Sequence, residues 1–167
     1  MAKSSTFDSN AFLDTVFDGG MDTSVILPDP GDYPAQITDK IELNTGIIGE
    51  GKMRAGEPWA NLSIQWELLD ENVKKNLNME RVFARQSIMI DLLPGSTPDR
   101  PMIDLGTNKS MRLKKLADVT GLNKNKKWRP SELKFQTATV HIEHRRPDGF
   151  DDDVAEVTRV SPFNGHG

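Results

Sequence analysis

The chain contains no cysteine, so a disulfide framework and a thiolate metal site are both excluded. It has no apolar run near the roughly 18–20 residues that span a bilayer, so no membrane partner is expected. The opening MAKSSTFDSN has one lysine and no apolar core behind it, which does not read as a secretory leader. No GxGxxG, P-loop, GxSxG or HExxH pattern occurs. His141 and His144 are three apart in a strand-like run, which sends them to opposite faces. No catalytic residue, metal site or cofactor is therefore assigned, and a nuclease reading rests only on those histidines and Asp151-Asp152-Asp153.

What is present is a segregated charge pattern. Between Lys109 and Arg129 lie eight cations and one acid, net +7, while the other 13 cations and 24 acids leave the rest at −11. Such a block is either a solvated face or a site for a polyanion.

Residues 1–30 read as an arm, 31–162 as the folded domain and 163–167 as a tail. In the arm, Phe7, Phe12, Leu13, Val16 and Phe17 sit among aspartates, and the spacing predicts one short helix capped by Ser9 or Asn10 and ended at Gly19-Gly20. From Tyr33 the period becomes two. Tyr33, Ala35, Ile37, Ile41 and Leu43 predict a first strand, with a bulge near Asp39. Asn44–Glu57 reads as a long glycine-rich loop, Trp59–Leu69 as the clearest strand, 70–79 as a polar connection and Glu80–Leu92 as a third strand. Ser110–Thr120 reads as a helix, Leu133–His144 as a fourth strand and Val154–Val160 as a fifth.

Three half-buried strands, a helix and two more strands predict a mainly β domain: a five-stranded OB-type barrel with one helix between strands three and four. A β-sandwich with one helix is the competitor. On such a barrel, single-stranded nucleic acid needs cations for phosphates and rings for bases. The expected binding residues are Trp59, Phe83 and Arg85 on strands two and three, with Lys52 and Arg54 in the first loop. Lys124, Lys126, Lys127 and Trp128 follow the helix, and Arg145, Arg146 and Phe150 lie in the last loop. Each has a structural alternative. Trp59 can plug a barrel end, Phe83 can pack under the arm or at a homodimer contact, and Arg145 and Arg146 can pair with Asp151–Asp153.

The runs AFLDT, DTSVILPDPGDYPAQI, EPWANLSIQWELLD, MRLKKLADVTGLN and VTRVSP resemble, across most of residues 7–162, a family of small phage-encoded proteins. Some of that family are single-stranded DNA-binding proteins with an OB fold. The resemblance implies a sequence-tolerant DNA binder in phage replication, recombination or repair, in the cytoplasm of an infected bacterium. It carries no binding residues over one by one. The ending SPFNGHG differs from the acidic tail of bacterial single-strand binders. A structural or interaction protein of a virion is the second reading.

Overall fold

The computed structural model describes residues 8–20, 26–124 and 127–163. Five strands form one sheet: β1 (Gly31–Ile47), β2 (Pro58–Leu68), β3 (Val82–Ile90), β4 (Thr137–Arg145) and β5 (Val154–Ser161). Among the described residues three α-helices accompany them: α1 (Ser9–Leu13), α2 (Glu71–Leu77) and α3 (Met111–Val119). The sheet order is β1-β2-β3-β5-β4, and β4 returns to β1 to close a barrel. The competing sandwich is absent, because all five strands share this sheet.

Closure depends on β1, which is long enough to serve two neighbours. Gly31–Gln36 pair with β4, and Ala35–Ile47 pair with β2, so Ala35 and Gln36 serve both neighbours. The β1–β2 register shifts between Ile37 and Ile41, just past the last β4 pair, where the sequence placed a bulge. Thr38 is buried there, and its hydroxyl donates to Gln65 Oε1 at 2.9 Å.

The expected OB-type barrel, built of antiparallel strands and carrying one helix, is corrected on three counts. The sheet is mixed, because β3 and β5 run parallel. Their joint is a single registered pair, Arg85 opposite Glu156. A second helix, α2, occupies the expected polar connection between β2 and β3. Asp70 caps it by accepting from the backbone N–H groups of Asn72 and Val73, and Asn78 ends it in the left-handed conformation. The thin β3–β5 joint is bridged from outside: the Arg112 guanidinium on α3 donates to Ser87 O at 3.3 Å and to Thr158 O at 3.5 Å.

Smaller boundaries also move. The glycine-rich loop shrinks to 48–57, since β1 continues through Asn44–Ile47. Leu133 belongs to a 3-10 turn, Pro130–Leu133, and not to β4. The core fills from alternate positions of the strands, with Trp66, Ile64 and Leu68 on β2 and Ile88 on β3 fully buried. Leu113, Leu116 and Ala117 of α3 cover one side of it. Gln86 also points inward, where its Oε1 accepts the Trp66 indole N–H at 2.8 Å. The burial of both groups is tolerated because each satisfies the other.

Candidate binding groove

The outer faces of β2 and β3 were expected to gather rings and cations. Strand alternation does turn Trp59, Phe83 and Arg85 away from the core. The pairing then separates them. Phe83 lies opposite Glu67, eight positions along β2 from Trp59, or about 26 Å at the usual strand rise. Trp59 instead packs on Gly46, where an added Cβ would come within 2.7 Å of the indole. With Arg54 it lines a separate cavity of about 430 Å³ against residues 89–96.

The remaining candidates also disperse. Arg54 pairs with Glu57, Arg145 with Glu156 at 3.2 Å and Arg146 with Asp153 at 3.2 Å. Lys52 is exposed in the 48–57 loop. Lys124 and Lys127 are exposed beyond α3, and Trp128 packs against the core. Lys126 lies outside the described residues.

Three of the expected residues do meet. Phe83, Arg85 and Phe150 line one groove of about 750 Å³, where the turn at 147–153 folds beside the β2–β3 face. Leu27, Lys40, Glu42, Val154 and the run Asp151–Asp153 complete its walls. Against the cations Lys40 and Arg85 stand four carboxylates: Glu42, Asp151, Asp152 and Asp153. Arg146 neutralises Asp153, so three carboxylates remain against two cations and the groove is net −1. The Arg85 Nε donates to Ser63 Oγ at 3.0 Å, which holds the guanidinium down on the sheet. Glu42, Asp151 and Asp152 make no ion pair among the described residues.

That balance overturns the expected single-stranded DNA groove. A phosphodiester chain brought here meets repulsion from more carboxylates than it finds cations, and the other cations lie elsewhere or are paired. The homodimer contact suggested for Phe83 has no support among the described residues: the Arg81 guanidinium, 4.9 Å from the ring centroid, occupies one face of that ring. No protein family, curated protein or solved structure matches this chain. The expected setting in phage DNA replication therefore has no known protein to rest on. Among the described residues, no helix is long and apolar enough to cross a membrane.

Sequence reasoning missed Leu27, Lys40, Glu42 and Val154 as groove residues. The signal for Lys40 and Glu42 was the period-two pattern itself: Ile37 pairs with Trp66 and Ile41 with Ile64, so the even positions still face outward past the irregularity. The acidic run beside Phe150 was also visible, but as a weakness of a phosphate site and not as a site of its own.

One end of the groove is held by an arginine bridge. Arg81 donates to both carboxylate oxygens of Glu67, at 3.1 and 3.2 Å, while stacking on Phe83. These hydrogen bonds hold the Glu67 carboxyl below its usual value of 4.5, outweighing the opposite effect of its burial. A lowered folded-state pKa contributes stability that is fully present above the unfolded value. It is lost as pH falls through the folded one. Glu67→Gln is therefore expected to be less stable than the parent at pH 7, and the gap should narrow below pH 4.5. Urea midpoints at pH 7 and pH 3 measure this, and an equal gap at both would show that the ion pair is not its source.

Proposed function

We propose that this chain is a non-enzymatic protein-binding module that accepts a cationic, apolar segment of another protein in the groove beside β2 and β3. The observation that carries the reading is the combination on its walls. The exposed ring of Phe150 and the partly exposed Phe83 and Val154 stand beside Asp151, Asp152 and Glu42, which make no ion pair among the described residues. An exposed ring and a free carboxylate are complementary to arginine or lysine, by cation–π contact and charge-assisted hydrogen bonding. The apolar side chains give the partner's neighbouring residues area to bury. Neither His141 nor His144 lines this groove: His141 Nδ1 meets Asp32 Oδ1 at 2.7 Å and His144 Nε2 meets Pro28 O at 2.7 Å.

Selection of random 12-residue peptides on the full chain tests this. The enriched sequences are expected to carry Lys or Arg next to aliphatic or aromatic residues, and to bind more weakly as salt rises. Phe150→Ser with Asp151→Lys and Asp152→Lys should weaken them at least about tenfold. These positions are exposed, so folding is expected to change little. Peptides without basic residues, or peptides that bind parent and variant equally, would overturn the reading.

A further inference from the structure

A second surface has the opposite charge, and the chain itself carries a segment that suits it. The cleft between α3 and β5 is lined by Gln86, Met111, Arg112, Lys115, Thr158, Arg159 and Val160, with a volume of about 390 Å³. Met111 offers an exposed apolar side chain on its wall. Three cations rim it, and Lys115 and Arg159 make no ion pair among the described residues. Arg112 is partly committed to the β3–β5 joint.

The arm has the complementary composition. Between Lys3 and Lys40 there is no lysine or arginine, and residues 4–30 hold five aspartates, Asp8, Asp14, Asp18, Asp22 and Asp29. Phe12, Leu13, Val16 and Phe17 are 53, 76, 84 and 64 % exposed. None of the four belongs to the core or to the residues packed against it. Asp8 caps α1 and so presents the start of this apolar group in helical form. Exposed apolar side chains in such density mark a segment that docks on something. A membrane surface or a nucleic acid is a poor choice, because both are anionic and the segment has no cation to offer.

The geometry points to the α3–β5 cleft as the receptor for residues 8–18 of the same chain, which would cover it as an exchangeable strap. Reach permits this. Leu27 packs against the core and Pro28 O meets His144, which lies opposite Ala155, four positions along β5 from Arg159, so the anchored end of the arm is about 15 Å from the cleft. The nine residues from Asp18 to Leu27 can extend about 30 Å. Phe12 and Phe17 would supply apolar area against Met111 and Val160, and Asp14 and Asp18 would face Lys115 and Arg159. An acidic, phenylalanine-bearing segment of another protein could then displace the strap by the same chemistry.

The absence of cysteine makes the test direct. Val16→Cys with Met111→Cys is oxidised in the full chain and compared with Val16→Cys with Lys75→Cys, whose second thiol is on α2. A bridge within one chain, formed in the first pair and several-fold less in the second, is expected. Adding Lys115→Glu and Arg159→Glu should abolish it. Equal bridging in both pairs, bridging only between chains, or none would overturn the proposal. Should the variants fail to fold, amide exchange on the unsubstituted chain decides. Protection of residues 109–117 and 157–161 is expected to fall between 50 mM and 1 M salt, about 14 Å and 3 Å of screening length, and unchanged protection would overturn it.

Discussion

Trp66→Ala is expected to remove about 4–8 kcal/mol from the unfolding free energy, enough to leave the domain barely folded. Two effects add. Trp66 is fully buried at the centre of β2, opposite Ile37 on one side and Ala84 on the other. Truncating a buried tryptophan costs about 3–5 kcal/mol in transfer and cavity terms. The change also strips Gln86 Oε1 of the indole N–H, and a buried acceptor left alone costs about 1–3 kcal/mol. Trp66→Phe separates the terms, because it keeps most of the ring volume and loses only the donor. It should cost about 1–3 kcal/mol beyond its packing loss, and Gln86→Leu should cost a similar amount by orphaning the indole. The double variant should be more stable than the two single losses predict, since it leaves neither group unpaired. Urea denaturation with unchanged m values measures all four. Additive losses would show that the bond between the side chains contributes nothing.

The same pair shows what could be read from the sequence. Alternation along Trp59–Leu69 placed Trp66 inside, and alternation along β3 put Val82, Ala84, Ile88 and Ile90 there as well. That parity also points Gln86 inward, but a lone amide at a core position has no meaning until its partner is known. Register supplies the partner, and register is a long-range property. The helix α2 was missed for another reason. Residues 71–77 offer only Val73 and Leu77 as an apolar pair, too little for a periodic signal, although Asp70 as a cap and Asn78 as a stop were both legible.

The site was legible in part for the same physical cause. Parity tells which way Trp59, Phe83 and Arg85 face, but not how far apart they lie along paired strands. The strand rise and the pairing of Phe83 with Glu67 put Trp59 at the other end of the sheet. Ion pairing was foreseen for Arg146 with the acidic turn and found at Asp153, whereas Arg145 turned to Glu156 on the adjacent strand. What the acidic turn does to the groove's charge follows only once Glu42 is placed beside it.

Ser110 gives the second large effect, and its sign distinguishes two causes. It precedes α3, but its side chain makes no capping bond. It is buried and ties the loop after β3 to the helix. Its Oγ donates to Asp104 O at 2.9 Å and accepts from Asp91 N at 3.1 Å, while its own N–H donates to Asp91 Oδ2 at 2.6 Å. Its backbone is left-handed, with φ at +49°. Ser110→Ala removes both hydroxyl bonds, leaves a backbone donor and acceptor short of partners, and keeps the Cβ that the left-handed conformation disfavours. A loss of about 2–4 kcal/mol is expected. Ser110→Gly loses the same bonds but relieves that strain, worth about 1–2 kcal/mol. Part of the gain is offset by glycine's greater freedom when unfolded. Glycine should therefore be the better tolerated of the two by about 1 kcal/mol, the reverse of their usual order in and around helices. Thermal unfolding of the three proteins reads this directly. Alanine equal to or better than glycine would mean that the loop relaxes around the site. The hydroxyl would then matter less than the geometry implies.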